Sequence, residues 1–260
     1  SAVPAGVSHM ISIARRALAL IDLTDLNANS SDAAVAGLCA KAQTLYGKTA
    51  AVCIWPRFVK GARPLLKGTG IKIATVVNFP DGDDDTAPVV IETEKAIKDG
   101  ADEIDLVFPY RAFKKGQREL AGEQIAIIAS VCRNRALLKV ILETGELKDQ
   151  SLVKSASELA IAEGADFIKT STGKVQVNAT LAAAETMLNA IKSSGRRDVG
   201  FKPAGGIRTI ADAEKYLDLA DRIMGPDWAT PATFRFGASG LLDDCLAALS
   251  GKAPSGSAGY

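Results

Sequence analysis

Histidine is almost absent from this sequence: the chain of 260 residues has one, His9, near its beginning. Zinc sites commonly draw on several histidines, and serine or cysteine nucleophiles commonly rely on one as their base. The body of the chain can build neither arrangement. We therefore expect no metal and no cofactor, and a chemistry carried by carboxylates, lysines, hydroxyls, thiols or the backbone.

Three other features are missing, and each absence excludes a class of protein. Lysine and arginine total 31 against 30 aspartates and glutamates, so no cationic excess favours a nucleic acid as partner. No apolar run reaches the roughly 18 residues that span a bilayer, which predicts no membrane partner. The four cysteines form no C-x-x-C pair, and this usage is typical of free thiols in a reducing cytoplasm.

What the chain does contain is a regular alternation of short β-rich runs and amphipathic helical stretches. Several runs are almost continuously apolar, as in parallel strands that are buried on both faces. Gly164 and Gly195 are predicted to end two helices, and Thr209 with Asp212 has the pattern of a capping box. The predicted strands are Leu18–Leu23, Ala50–Ile54, Ile71–Asn78, Glu103–Phe108, Leu137–Glu143, Phe167–Thr170, Val199–Lys202 and Thr233–Gly237.

Eight strand–helix units in about 240 residues match the size of a (β/α)8 TIM barrel. We predict a single-domain α/β protein whose barrel spans residues 11–250. An open, doubly wound sheet is the alternative, although no G-x-G-x-x-G follows the first strand. Residues 1–10, which include Ser8-His9-Met10, are predicted to be a tag remnant or a flexible N-terminus, and residues 251–260 a flexible tail.

Charged residues interrupt three strands that are otherwise apolar: Asp105, Lys169 and Lys202. One interpretation is a buried ion-pair network that also includes Lys139 and Glu143, because a buried lysine is costly without a partner. The other interpretation is chemical. Two lysines on neighbouring strands repel each other, which lowers the pKa of one and yields a neutral amine nucleophile. A network built only for stability would pair each lysine with a carboxylate.

Glycine-containing turns follow the sixth, seventh and eighth predicted strands, at the end of a barrel where active sites lie. Glycine lets backbone N–H groups approach an anion, and a helix beginning near Ile210 or Leu241 would add the positive end of a dipole. Each turn alone is explained by chain reversal, and Lys174 alone by solvation, but their joint placement favours a phosphorylated ligand. The candidate phosphate-binding residues are Gly173, Lys174, Gly205, Gly206, Ser239 and Gly240.

Longer motifs surround these residues, and the two that contain Lys169 and Lys202 are the most specific. The motifs are Leu20–Thr24, Ala51–Phe58, Asn78–Pro80, Ala101–Arg111, Leu138–Leu147, Phe167–Lys174 and Gly200–Arg208. Together they resemble the deoxyribose-phosphate aldolase family over essentially the whole chain. The resemblance implies a TIM barrel and a metal-free class I aldolase. Such an enzyme reversibly cleaves 2-deoxy-D-ribose 5-phosphate, in the breakdown of deoxyribose phosphates, to D-glyceraldehyde 3-phosphate and acetaldehyde.

The resemblance also implies a role for individual residues. Lys169 matches the Schiff-base lysine, and Lys202 matches the neighbouring cation that lowers its pKa. Asp105 matches the general acid and base, which relays protons through a water. Tyr260 matches a C-terminal tyrosine of the family, which can reach the site only if the tail folds back.

Other matches and departures complete the comparison with the family. Asp22 and Cys53 match residues near its site, and the glycine turns match its phosphate-binding loops. The chain has Ser239-Gly240 where many members have paired serines, which removes one hydroxyl from the expected phosphate site. Asp81 stands where a histidine is common. The resemblance further implies a cytoplasmic protein and allows a homodimer.

Three competing functions stay open at this point. One is another Schiff-base barrel that acts on longer ketose phosphates, such as a transaldolase. A second is a catalytically silent barrel that binds phosphorylated sugars, which would have no need of Lys169, Lys202 and Asp105 as a set. A metal-dependent aldolase is disfavoured because its zinc site normally demands several histidines.

Overall fold

The computed structural model describes residues 2–252 of the chain. Eight parallel strands form one sheet that curls into a barrel, in the order β8-β1-β2-β3-β4-β5-β6-β7. The strands are β1 (Ile21–Asp25), β2 (Ala51–Ile54), β3 (Lys72–Val77), β4 (Glu103–Val107), β5 (Leu137–Ile141), β6 (Phe167–Lys169), β7 (Gly200–Lys202) and β8 (Phe236–Ala238).

Two isolated bridges bring the last edge of the sheet together. Phe201 on β7 pairs with Phe234, which precedes β8, and Ala204, which follows β7, pairs with Gly237 on β8, both in parallel register. The barrel is therefore nearly closed. The prediction of a single (β/α)8 TIM barrel is confirmed, and the open doubly wound sheet is wrong.

Helices surround the barrel and connect its strands. They are α1 (Ala5–Leu18), α2 (Asp32–Lys41), α3 (Pro56–Ala62), α4 (Thr86–Asp99), α5 (Tyr110–Lys114), α6 (Arg118–Cys132), α7 (Thr144–Leu147), α8 (Gln150–Ala162), α9 (Leu181–Ser194), α10 (Ile210–Met224) and α11 (Gly240–Leu249). A short hairpin of residues 43–44 and 47–48 lies outside the barrel sheet. The apolar core fills the space between strands and helices.

The predicted helix signals are confirmed. Thr180 caps α9 by accepting a hydrogen bond from the backbone N–H of Ala183, and Gly195 ends that helix in the left-handed region. Thr209 and Asp212 form both hydrogen bonds of a capping box at the start of α10. These local signals fix where helices begin and end, and therefore where the loops at the barrel ends lie.

Two predicted boundaries differ from the structure. Helix α1 runs through Leu18, so the first strand begins at Ile21 rather than Leu18. The predicted start of the barrel domain at residue 11 lies inside α1, which is helical from Ala5, exposed through His9, and buried only at Ile13, Ala14, Ala17 and Leu18. His9 on this helix has its Nε2 atom 2.7 Å from Oε2 of Glu214 on α10.

Over residues 2–252, no helix combines the length and the apolar character that a membrane span requires.

Candidate active site

The three predicted charged residues meet at the carboxyl-terminal end of the barrel interior. Lys169 ends β6, Lys202 ends β7, and the two are paired in register across the sheet. The Nζ atoms of Lys169 and Lys202 lie 3.0 and 2.8 Å from the same oxygen, Oδ2 of Asp105 on β4. All three side chains are buried. The structure therefore brings the predicted nucleophile, cation and acid–base residue into direct contact.

A second tier of charges lies immediately below this group. Oδ2 of Asp22 on β1 lies 2.6 Å from the Nζ atom of Lys202 and 3.1 Å from that of Lys139 on β5. Lys139 Nζ also lies 3.0 Å from Oδ1 of Asp105 and 2.7 Å from Oε1 of Glu103. Lys139 consequently has three carboxylate partners, whereas Lys169 has one, which it shares.

Arg235 completes the cluster at the amino-terminal end of the strands. Its Nη1 atom lies 2.8 Å from Oδ1 of Asp22, and its two Nη atoms each lie 2.8 Å from an oxygen of Glu103. The sequence analysis missed both Arg235 and Glu103 as members of the site. Both are charges inside predicted strands, the same signal that identified Lys169.

The ion-pair network and the reactive amine are both compatible with these contacts. Every buried lysine touches a carboxylate, so the pairing expected of a purely stabilising network is present as well. The count of charges separates the two interpretations. Four cations (Lys139, Lys169, Lys202 and Arg235) meet three carboxylates (Asp22, Glu103 and Asp105), so one cation is in excess.

Lys169 is the member of the cluster that gives up its charge most readily. Burial lowers its pKa; the Asp105 carboxylate opposes this effect and the Lys202 cation reinforces it, so the net pKa lies below the ordinary value. Burial also acts against the charge of Lys202 and of Lys139, but their carboxylates outweigh it and raise both pKa values. The structure thus leaves Lys202 a cation beside a more easily deprotonated Lys169.

Two carboxylates of the cluster, Asp22 and Asp105, stay ionised. Burial alone would raise the pKa of Asp22 and of Asp105, but Lys139 and the other cations outweigh it, and both pKa values fall well below the usual range. Cys53 lies buried on β2 beside the cluster. Burial raises the pKa of its thiol, so this side chain is a neutral neighbour.

A cavity of about 330 Å³ opens at the carboxyl-terminal end of the barrel, and Lys169 reaches its wall. All six candidate phosphate-binding residues line it: Gly173, Lys174, Gly205, Gly206, Ser239 and Gly240. The structure therefore joins the amine and the glycine turns in one cavity. A larger cavity, of about 840 Å³, lies at the opposite end of the barrel and includes neither.

The glycines in these loops have conformations that other residues rarely adopt. Gly205 and Gly206 have φ angles of +90° and +84°, and a Cβ atom on Gly205 would lie 2.4 Å from Cβ of Asn178. The side chain of Asn178 accepts a hydrogen bond from the backbone N–H of Gly173. Asn178, which sequence reasoning missed, therefore holds the loop after β6 in shape and packs beside Gly205 of the next loop.

Of the two helix ends expected to face an anion, one is already occupied by the protein. At α10, Asp212 accepts from the backbone N–H of Thr209, and Asp244 accepts from that of Ile210. At α11, the Ser239 hydroxyl donates instead to the carbonyl of Thr24, at 2.6 Å, and makes no cap. The start of α11 at Gly240 is therefore the helix end that remains available to a ligand.

Two cations stand at the rim of the same cavity. Lys174 lines it and donates from Nζ to the carbonyl of Leu26, at 2.6 Å, rather than lying free in solvent. Arg208 lines it too and is exposed. The sequence analysis did not single out Arg208, because an exposed arginine in a loop carries no pattern of its own.

Glu143 does not belong to the ion-pair network, contrary to one interpretation of the sequence. This buried residue follows β5 with a φ angle of 58°, and its carboxylate accepts from the backbone N–H and the hydroxyl of Thr172. Burial raises the pKa of Glu143, while the hydrogen bonds from Thr172 oppose the shift. Its place in the fold is to hold the loop that follows β6. The predicted tyrosine, Tyr260, lies outside the described residues.

The barrel and its site define a class before any relative is considered: a (β/α)8 barrel with buried lysines beneath a glycine-lined cavity at its carboxyl-terminal end. The family model described as DeoC/LacD family aldolase matches residues 16–247. The chain belongs to the DeoC/LacD family of aldolases.

Individual relatives agree with this assignment. A deoxyribose-phosphate aldolase of Agrobacterium fabrum (strain C58) is 60% identical over 245 residues, which are 94% of each sequence. A Toxoplasma gondii ME49 structure, provisionally assigned to the same activity, has a TM-score of 0.85 at 26% identity, covering 95% of this chain and 99% of that one. The tetrameric deoxyribose phosphate aldolase of Aeropyrum pernix has a TM-score of 0.73 at 24% identity, covering 93% and 91%, and supports the fold alone.

Proposed function

We propose that the protein reversibly cleaves 2-deoxy-D-ribose 5-phosphate to D-glyceraldehyde 3-phosphate and acetaldehyde, through a Schiff base on Lys169. The observation that carries this proposal is the position of Lys169. Among the described residues, it is the one buried amine whose pKa is lowered and which also lines the cavity at the barrel mouth. Membership of the aldolase family and the 60% identical relative support the same substrate.

The reaction begins when the neutral amine of Lys169 attacks the aldehyde carbon, C1, of the open-chain sugar. The carbinolamine loses water and becomes an iminium ion. The C3 hydroxyl then gives up its proton, the C2–C3 bond breaks, and its electron pair moves toward the iminium nitrogen to leave an enamine. Glyceraldehyde 3-phosphate departs. Protonation at C2 and hydrolysis by water release acetaldehyde and restore the amine.

Asp105 and Lys202 have different roles in controlling protonation during this reaction. The pKa of Asp105 is held far below neutrality, so its carboxylate accepts a proton weakly and passes it on through a water. Lys202 keeps its charge because Asp22 and Asp105 raise its pKa. The charge of Lys202 therefore favours the neutral form of Lys169 before the amine attacks. After the attack, the same charge repels excess positive charge at the site. Asp22 holds Lys202 in place, and the buried Cys53 thiol is an uncharged neighbour of the cluster.

The phosphate group is assigned to the three glycine turns. The backbone N–H groups of Gly205 and Gly206 and the start of α11 at Gly240 offer donors to an anion, and Lys174 and Arg208 add positive charge. Among the described residues, the backbone N–H groups of Gly205 and Gly206 donate to no protein acceptor. A phosphorylated substrate would satisfy them.

Tyr260 is proposed to donate and accept the proton at C2 of the enamine, because a phenol can do both. The Tyr260→Phe variant removes only the hydroxyl. It should slow hydrogen exchange at the methyl carbon of bound acetaldehyde far more than it slows imine formation. Exchange at the unaltered rate, followed by NMR in deuterated water, would show that the tyrosine has no such role.

The proposed reaction uses no metal, because the iminium ion itself accepts the electrons of the breaking bond. A chelator at millimolar concentration should leave the rate unchanged. Loss of activity that zinc restores would place the enzyme in the metal-dependent class.

Replacement of the nucleophile tests the function itself. Lys169→Arg keeps a positive charge but removes the attacking amine, and should reduce cleavage by at least about a thousandfold. Lys154→Arg, a change at an exposed lysine on α8, is the matched control and should leave the rate unchanged. Cleavage that survives in Lys169→Arg would exclude the proposed reaction. Preference for a longer ketose phosphate would favour a transaldolase instead.

The state of the cysteines bears on the cellular setting. The four cysteines are free and buried in the fold, which fits a reducing compartment such as the cytoplasm. A homodimer is the assembly that the family resemblance allows, whereas the Aeropyrum pernix relative is tetrameric. Light scattering on the purified protein distinguishes a dimer from a monomer or a tetramer.

A further inference from the structure

An ion pair closes the amino-terminal end of the barrel interior, and the proposed reaction does not touch it. Arg235 and Glu103 are 4% and 3% exposed and form a bidentate pair with both oxygen–nitrogen distances at 2.8 Å. Neither residue lines the cavity at the mouth, where the substrate would bind. Any effect of this pair on the reaction must therefore pass through the residues between them.

Two unbroken routes of ion pairs connect this pair to Lys169. One runs from Glu103 to Lys139, then to Asp105 and Lys169. The second runs from Arg235 through Asp22 and Lys202 to the same oxygen of Asp105, with steps of 2.8, 2.6 and 2.8 Å. Every link is buried, so solvent does not screen the charges as it does at a surface.

The count of charges gives this connection a direction. With Lys169 neutral, three cations balance the three carboxylates of the cluster. Without Arg235, two cations would remain against three carboxylates, and a proton on Lys169 would restore the balance. Without the charge of Glu103, three cations would face two carboxylates, and Lys169 would lose its proton more readily.

We propose that Arg235 and Glu103 form a positioning pair that sets the charge balance of the active site from the far end of the barrel, and so keeps the Lys169 amine unprotonated at neutral pH. The proposal rests on the proposed role of Lys169 as the Schiff-base lysine. It adds to that role the reason why the neutral form is available.

Other titratable and charged groups face Lys169 and Arg235. Facing Lys169 are Asp105 on β4, Lys202 on β7, the Cys53 thiol on β2, and, more distantly, Glu143 after β5. Facing Arg235 are Asp22, Glu103 and, beyond them, Lys139. The variants below change only Arg235 and Glu103, so these groups stay in place.

The test measures how fast Lys169 forms an imine with acetaldehyde as the pH is varied. Borohydride reduction traps the imine, and peptide mass mapping counts it on Lys169 alone. The midpoint of the rate against pH should rise by roughly one pH unit in Arg235→Met and fall by a similar amount in Glu103→Gln. The double variant should return the midpoint close to that of the unmodified enzyme.

Matched controls come from the lining of the larger cavity, at the amino-terminal end of the barrel. Arg133 and Glu163 line that cavity with Arg235 and Glu103, but neither has a contact with the charge cluster. Arg133→Met and Glu163→Gln should leave the midpoint unchanged. A shift in these controls equal to that in the test variants would reduce the effect to general surface charge and contradict the proposal.

The outcomes separate this proposal from the one it rests on. If the unmodified enzyme forms no imine on Lys169, the proposed function fails. If the imine forms but both single variants keep the original midpoint, or move it in the same direction, the positioning role is wrong.

Should Arg235→Met not fold, Glu103→Gln and Arg235→Lys decide the question. The lysine keeps the charge and should keep the midpoint even if it lowers stability, because it loses the bidentate geometry. A midpoint in Arg235→Lys displaced by about a full pH unit would contradict the proposal.

Discussion

The centre and the mouth of the barrel each hold a buried lysine, and the two lysines behave in opposite ways. Lys139 at the centre has three carboxylate partners, and its pKa is raised. Lys169 at the mouth has one partner, which it shares with Lys202, and its pKa is lowered. Both side chains are almost fully buried. The number of carboxylates, rather than burial, therefore decides which lysine keeps its proton.

The energies explain why this difference is decisive. Removing an ammonium from water costs several kcal/mol even after the protein relaxes. Carboxylates at contact distance offset that cost, and the three around Lys139 more than offset it. The single carboxylate beside Lys169, Asp105, is shared with other cations and does not offset this cost. The mouth of the barrel therefore holds a lysine that loses its proton readily, which is what an amine nucleophile requires.

The largest effect on stability is expected when the centre is changed. Lys139→Met should destabilise the fold by about 3–5 kcal/mol, because Asp22, Glu103 and Asp105 each lose a buried cationic partner. Urea unfolding measures this difference, with Lys154→Met as an exposed control. A loss below about 1 kcal/mol would mean that Lys139 is not the main counter-ion at the centre.

The next change sharpens the contrast at the mouth. Lys202→Met removes the neighbouring cation, so Lys169 should hold its proton and the cleavage rate at pH 7 should fall by roughly a hundredfold. Because the defect is one of protonation, part of the rate should return as the pH is raised. A loss that stays constant with pH would assign Lys202 a different role.

Acidification should break the cluster in a predictable range. The pKa values of Asp22 and Asp105 are lowered in the folded protein, so their contribution to stability is present above the unfolded value near 3.9. It is lost as the pH falls below that value, by on the order of 2 kcal/mol for each carboxylate. Urea midpoints measured between pH 6 and pH 3 test this. A flat profile would contradict the lowered pKa values.

The smallest effects are expected in the glycine turns. Gly205→Ala forces a Cβ atom against Asn178 at a positive φ angle, and should raise KM for the phosphorylated sugar by roughly tenfold. Gly240→Ser meets open space at the start of α11 and should lower that KM by roughly threefold, because it adds a hydroxyl. Steady-state kinetics with phosphorylated and unphosphorylated deoxyribose separates the two. Equal changes for both sugars would remove the phosphate assignment.

The sequence predicted the mouth of the barrel better than its centre. Charges in apolar strands identified Lys169, Lys202 and Asp105, because such residues are rare enough to stand out. Arg235 carries the same signal, but it lies in the last predicted strand, which in the structure begins at Phe236, three residues later than predicted and just after Arg235. Its partners are distant in sequence, 132 positions for Glu103 and 213 for Asp22, and no local pattern reveals them.

Other features could not be predicted because they depend on competing hydrogen bonds. The sequence offered two helix ends for an anion, and only the packing of Asp244 against α10 leaves α11 as the available one. Thr172 acts through a contact between two loops and Asn178 through hydrogen bonds within one loop, and periodicity reports neither. Helix α1 begins at Ala5, inside the segment interpreted as a tag remnant, but its buried side chains, from Ile13 to Leu18, all lie beyond that segment.

The most direct test of the contrast between the two lysines is to trap the imine and locate it. The enzyme is reduced with borohydride in the presence of acetaldehyde near pH 7, digested, and mapped by peptide mass. The account predicts that the added two-carbon group lies on Lys169 and that the peptides containing Lys139 and Lys202 stay unmodified. Modification of Lys139 or Lys202 with Lys169 unmodified would contradict it.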